Sequence, residues 1–267
     1  MQPRVLVLRT AGTNCDGETA YAFELAGAKA EFLHLNRLLE NPRALDQFQL
    51  LAIPGGFSYG DDIAAGRIFA NQLVHHLADA LNRFVQQRKP VIGICNGFQV
   101  LVKTGLLPGP IAGRRGQSCT LAHNDCGRFI DRWVRLEPVK SKCIWTAGMA
   151  QPLELPIAHG EGKFVPADNF VREELWRQGQ VVLTYSEARR GVDDAFAGNP
   201  NGSTDAIGGI CDASGMILGL MPHPERHVSQ LQHPAWTRRG QVEGEGEGLL
   251  IFRNAVGFAA SAVGAGI

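Results

Sequence analysis

The stretch VIGICNGFQVL, Val91 to Leu101, sets a cysteine between two glycines where an apolar run ends. The pattern Gly93-Ile-Cys95-Asn-Gly97 suits a sharp strand-to-helix corner. Glycines at both flanks remove Cβ atoms that would collide with the neighbouring strand and helix. The central residue is then held in a strained backbone with its side chain presented outward. The unpaired N–H groups and the dipole of the following helix favour negative charge at its start, and thiolate is the reactive form of cysteine. Those N–H groups, that of Asn96 in particular, suit an oxyanion as well. On this motif alone two readings stand, a nucleophile and a small buried thiol.

A thiol nucleophile needs a base. The chain has His34, His75, His76, His123, His159, His223, His227 and His233. His75 and His76 fall inside a helical pattern, and His34 ends a strand without special neighbours. His223 differs, because it stands in MPHPER between Pro222 and Pro224. A residue before proline is pushed to extended geometry, and side chains two apart in an extended segment share a face. His223 and Glu225 are therefore expected to point together. A carboxylate beside an imidazole fixes its tautomer and supports its protonated form. The alternative is a rigid loop with a surface histidine. Beside Cys95, the segment makes a Cys–His–Glu constellation, and catalysis is the stronger reading.

A third segment, PGGFSYGDD, places Gly55 and Gly56, followed by Phe57, directly after an apolar run. Consecutive glycines let backbone N–H groups approach a ligand closely, which suits the other half of an oxyanion site. Asp61 and Asp62 read as the region capping the helix that carries Arg67. No GxxxxGK[ST] phosphate loop is present, and His123, Cys126 and Cys143 fit no common zinc spacing. The chain is expected to use no cofactor or metal of its own.

These segments need elements that bring them together. VLVLRT (5–10), AEFLHL (30–35), LLAIPGG (50–56) and VIGIC (91–95) read as strands. Residues 17–26 and 68–88 read as helices between them. Near-continuous apolar strands alternating with helices indicate an α/β fold, a doubly wound, mostly parallel sheet covered on both faces. Later runs, RFIDRWVRLEP, VVLTYSE, AIGGICD and MILGLMP, read as further strands that extend the sheet antiparallel. LLIFRNAVGFAASAV closes the chain as an apolar-striped helix, and the glycine–glutamate run Glu243 to Gly248 reads as a flexible loop. No long linker divides residues 1–267, so one domain is expected. In such sheets ligands gather at the carboxyl ends of strands, and PGGFSYGDD, CNGFQ and PHPER each follow one.

Composition narrows the partners. The 267 residues are 45% hydrophobic and carry 26 basic and 26 acidic side chains, for zero formal charge. That balance argues against nucleic acid or an acidic membrane as a main partner. No signal peptide, membrane span or CxxC pair is legible, and the reading is a reduced, cytoplasmic protein.

The combination of GICNGFQ and the distant HPE resembles the class I, triad-type glutamine amidotransferases, a flavodoxin-like α/β family. GTNCD (12–16), PGGFSYGDD, AAGR (64–67), Phe129 to Leu136, PIAHGEGKF (156–164), NPNGS (199–203) and MPHPER are together similar to the glutaminase subunits of phosphoribosylformylglycinamidine synthases of purine biosynthesis. The resemblance runs from about residue 5 to about residue 256. It implies that Cys95 attacks the side-chain amide of L-glutamine, His223 moves the proton and Glu225 orients it. Backbone groups near Gly55, Gly56 and Asn96 would hold the oxyanion, Gln99 would help hold glutamine, and His159-Gly160 would lie near its amino-acid head. It also implies a large ATP-dependent synthetase subunit, the user of ATP and Mg, and a small accessory subunit as partners. A glutaminase subunit or domain of another class I amidotransferase is an alternative, but would share the Cys and His–Glu segments and not HGEGKF or NPNGS. Two further readings are a Cys–His hydrolase of the DJ-1/PfpI kind and a binding module without catalysis. The first takes its histidine soon after the cysteine, whereas here none follows before His123. The second would be expected to lose Cys95 or His223.

Overall fold

A computed structural model describes residues 2–111, 116–186, 198–239 and 243–264. The first part is built on β1 (Arg4–Arg9), β2 (Lys29–His34), β3 (Leu50–Ile53) and β4 (Val91–Ile94), all parallel. Between them run α1 (Asp16–Leu25), α2 (Leu35–Glu40), α3 (Arg67–His76) and α4 (Ala78–Gln86). β3 and β4 are buried at every residue, as uninterrupted apolar runs require when both sheet faces are covered. Then follow α5 (Asn96–Lys103), β5 (Cys119–His123), β6 (Ile130–Pro138), β7 (Leu153–His159), β8 (Glu161–Pro166), α6 (Asn169–Arg177), β9 (Val181–Ser186), β10 (Ile207–Cys211) and β11 (Ile217–Leu220). The short α7 (Trp236–Arg239) and the longer α8 (Leu249–Gly264) come last.

Nine strands share one sheet in the order β2-β1-β3-β4-β11-β10-β9-β6-β7, and β5 pairs with β8 in a separate antiparallel ribbon. The neighbours from β2 to β11 are parallel. Those from β11 to β7 are antiparallel. The sheet is thus evenly mixed rather than mostly parallel, since the antiparallel extension is as wide as the parallel half. β3, β4 and β11 lie side by side and point the same way, so the segments after them emerge at one edge. α8 buries Leu249, Ile251, Phe252, Ala255, Val256 and Ala259, and the Phe252 ring meets Phe23 of α1 edge to face at 4.9 Å.

Three expectations are corrected. Residues 68–88 form two helices, not one, because the chain leaves helical geometry at Leu77 (φ −124°, ψ 8°). Leu77 is itself buried with Leu73 and Leu81, so the apolar stripe continues across the bend and wraps the core. His34 has a partner after all: its ring caps α2 by accepting the Asn36 N–H at 3.2 Å. The second half of the glycine–glutamate run is packed rather than loose, while Glu243 to Glu245 are exposed. A Cβ on Gly246 would lie 2.3 Å from the His227 carbonyl oxygen, and one on Gly248 would lie 2.1 Å from that of Pro224. The Gly248 N–H donates to His227 O at 2.9 Å, and Glu247 Oε2 accepts the Glu154 N–H. The bare backbone of these glycines lies flat against the segment that carries His223 and Glu225.

Candidate active site

Cys95 stands between β4 and α5 with φ 51° and ψ −105°. A non-glycine residue holds such a backbone at a cost on the order of 1–3 kcal/mol. The surroundings enforce it. A Cβ on Gly97 would sit 1.8 Å from Ile53 O, and one on Gly93 would sit 2.5 Å from Gly97 O, so α5 must start directly against β3 and β4. The Cys95 N–H donates to Leu220 O at 2.8 Å, which ties the corner to the end of β11 close to His223.

His223 is extended (φ −103°, ψ 90°) ahead of the turn Pro224–Arg226. Its N–H donates to Pro156 O at 2.8 Å. Pro156 made β7 hard to read as a strand, since proline removes a ladder donor, yet its carbonyl anchors the histidine. His223 Nδ1 lies 2.7 Å from Glu225 Oε1, and both side chains are almost completely buried. Among the described residues the opposite ring nitrogen, Nε2, and Glu225 Oε2 have no hydrogen-bond partner. Burial by itself pushes the His223 imidazole down. The Glu225 carboxylate and the facing sulfurs of Cys95 and Cys15 outweigh it and hold the group well above its ordinary range.

Cys15, inside the segment GTNCD, is a further neighbour of this pair that no local motif assigns to it. Its Sγ, a His223 ring nitrogen and a Glu225 oxygen all lie within 4.8 Å of one another. Arg226 donates to Cys15 Sγ at 3.2 Å and to Glu18 Oε2 at 2.9 Å. Loop and helix are thereby clamped from residues more than two hundred positions apart.

A cavity of about 210 Å³ opens from Cys95 and is walled by Gly56, Phe57, Asp61, Gln99, His159, Gly160 and Glu161 among others. Gly55 lies behind it against the triad. The side chain of Asn96 is engaged: it accepts the Ser58 N–H at 3.2 Å and donates to Asp61 Oδ1 at 3.1 Å and to Gln99 Oε1 at 2.9 Å. Its backbone N–H, at the first helical position where no preceding turn can accept it, is the group left to meet a ligand. Phe57 does not contribute an amide, because its N–H donates to Gly12 O at 2.9 Å. Its half-exposed ring lies 6.3 Å from that of Phe129 at the cavity mouth.

Gln99 is buried, with Nε2 donating to Glu161 O at 2.5 Å. His159 Nδ1 lies 3.0 Å from Asn124 Oδ1. That oxygen also accepts the Gly162 N–H, while Asn124 Nδ2 donates to Arg128 O and His159 O. Nδ1 is then the protonated nitrogen, and the buried Nε2 is an acceptor without a partner among the described residues. Burial and the charge of His223 lower the His159 pKa to about 4, so the ring is neutral. Asp61, expected in the region that caps the helix carrying Arg67, serves the start of that helix and also lines the cavity. Gly66 occupies the cap of α3, and Asp61 Oδ1 accepts its N–H at 3.1 Å.

The family described as the CobB/CobQ-like glutamine amidotransferase domain matches residues 2–259. The chain belongs to this family. It is 48% identical over 258 residues to the phosphoribosylformylglycinamidine synthase subunit PurQ of Dehalococcoides mccartyi, covering 96% of this chain and 97% of that one. The corresponding Treponema denticola subunit is 44% identical over 241 residues, covering 85% and 89%. A chain of the Thermotoga maritima PurLQS structure superposes with a TM-score of 0.71 at 31% identity, covering 97% and 99%. Within this amidotransferase family the chain is thus a PurQ-type subunit, matched over almost its entire length. The segments HGEGKF and NPNGS lie inside that match. Here they form the β7–β8 wall of the cavity and its support, where Asn201 donates to Gly162 O and Ser203 accepts the Phe164 N–H.

Proposed function

We infer that this chain is the glutaminase subunit of a phosphoribosylformylglycinamidine synthase. It releases ammonia from L-glutamine for a large ATP-dependent synthetase subunit, with a small accessory subunit completing the complex. The observation that carries the chemistry is the strained Cys95 corner facing the buried His223–Glu225 pair at one end of the cavity.

The steps follow from these groups. Cys95 gives its thiol proton to His223 Nε2, the nitrogen that Glu225 leaves free by holding Nδ1. The sulfur attacks the δ-carbonyl carbon of glutamine. Backbone N–H groups of Asn96 and the Gly55–Gly56 turn stabilise the oxyanion, an effect worth about 3–4 kcal/mol per donor in comparable sites. The imidazolium returns its proton to the leaving nitrogen, and ammonia departs. Water, deprotonated by the same histidine, then cleaves the γ-glutamyl thioester to glutamate and restores the thiol. Gln99 and His159-Gly160 line the binding side. ATP and Mg belong to the synthetase subunit, and no step here draws on a cofactor in this chain.

The test uses the chain assembled with its synthetase. Cys95→Ala is expected to abolish glutamine-dependent amination while ammonia-dependent amination continues, and a glutamine-like electrophile is expected to label Cys95 in the unmodified chain. Loss of both activities, or a label elsewhere, would assign the chain another role.

A further inference from the structure

The cavity that ends at Cys95 carries a carboxylate for which the thioester chemistry has no use. Asp61 shares the wall with Gln99, His159 and Glu161. The backbone is contorted to place it there: Tyr59, Gly60 and Asp61 have φ of 54°, 71° and 53° in succession. Strain of that kind in non-glycine residues persists where the surroundings over-determine it, and it concentrates at ligand clamps. Here the surroundings are the Gly66 N–H and Asn96 Nδ2, each 3.1 Å from Asp61 Oδ1. Asn96 directly follows the nucleophile, so the carboxylate is indexed to Cys95 through one side chain.

Both bonds fall on one oxygen. Among the described residues Asp61 Oδ2 has no hydrogen bond, and no lysine, arginine or histidine nitrogen lies within 4 Å of the carboxylate. The group is half-buried, and burial raises its pKa against the pull of the Gly66 and Asn96 bonds. A partly desolvated carboxylate facing a cavity is stabilised by a cationic donor. Glutamine brings one. With its δ-carbon at Cys95, the α-carbon is two methylenes further along, and it carries an ammonium group.

Resting on the glutaminase reading, we propose that Asp61 Oδ2 receives the α-ammonium of glutamine and makes the site selective for the free amino acid. Glu161 is the competing carboxylate. Its Oε1 already faces His123 Nε2 at 4.0 Å, and its carbonyl anchors Gln99.

The test compares L-glutamine with 4-carbamoylbutanoate, the same molecule without the α-ammonium, in the assembled complex. The wild type is expected to prefer glutamine, and equal kcat/KM for the two compounds overturns the proposal without any variant. Asp61→Asn keeps the Oδ1 acceptor and removes the charge. It is expected to lower kcat/KM for glutamine about 10- to 100-fold, as loss of a charge-assisted hydrogen bond does. The value for 4-carbamoylbutanoate is expected to change less than about threefold. Equal losses on both substrates would make Asp61 a mere support for Asn96 and overturn the assignment. So would a selective loss in Glu161→Gln instead. A wild-type complex that releases no ammonia from glutamine, while still aminating with free ammonia, defeats the glutaminase reading itself.

Discussion

A Cβ built on Gly55 would lie 2.9 Å from Cε1 of His223 and 3.5 Å from Cβ of Cys95. Even a methyl side chain would therefore crowd the space between His223, Cys95 and the turn after β3. Cys15 Sγ, at 3.2 Å from the same point, closes the remaining side.

Gly55→Ala is expected to abolish glutamine-dependent amination, because the imidazole must move to admit the methyl. Overpacking of this kind costs about 1–3 kcal/mol. Thermal unfolding checks that the fold survives, and ammonia-dependent amination by the complex checks that assembly does.

Glu225→Gln is expected to lower glutamine-dependent kcat/KM about 10²- to 10⁴-fold, by analogy with the loss of the orienting carboxylate in other triads. It also has a signature in stability. The His223 pKa is raised on folding, so its proton contributes stability fully present below the ordinary histidine value near 6.5, and this is lost as pH rises through the raised value. Melting temperature followed from neutral to alkaline pH is expected to fall in the wild type, and to fall less in the variant.

His159 has the opposite sign. With its pKa lowered to about 4, the unfolded chain binds the extra proton first, so stability is lost as pH falls from about 6.5 to about 4. The full effect is on the order of 3 kcal/mol at most. Denaturant titrations of His159→Asn across that window are expected to show a flatter pH dependence than the wild type.

Gly248→Ala tests the clamp behind the triad. Its Cβ would enter the Pro224 carbonyl, so the segment holding His223 and Glu225 must shift. A loss of stability of about 1–3 kcal/mol is expected, together with a loss of glutamine-dependent amination out of proportion to it. Ammonia-dependent turnover of the complex is the control.

Much of this site was legible because it is local. A glycine on either side of Cys95 follows from the crowding of one strand-to-helix corner, and the pairing of His223 with Glu225 follows from two prolines and an extended backbone. The strands read from apolar runs lie where the sheet has them, so the carboxyl ends of β3, β4 and β11 could be expected to converge. Two strands that the apolar runs do not reveal, β7 and β8, break the pattern for physical reasons. β7 holds a proline, and β8 begins with a glycine among its first residues and ends in proline, which remove ladder donors and side-chain packing.

What the residues alone determined, then, is the local arrangement: a thiol on a strained corner, and a histidine paired with a carboxylate two residues on. Tertiary structure decided the company these groups keep. Cys15 reaches His223, Arg226 reaches Glu18, and the glycines at 246 and 248 lie against the triad loop, all across separations that no local periodicity encodes. Asp61 is the sharpest case. Two adjacent aspartates before a helix suggest a cap on propensity grounds, and Asp61 Oδ1 does accept the Gly66 N–H at the start of α3, but three successive left-handed residues, held by an asparagine on another element, also set the carboxylate in the cavity wall. Backbone conformation of that sort is set by packing around the turn, and it becomes visible only once the sheet has brought β3 and α5 together.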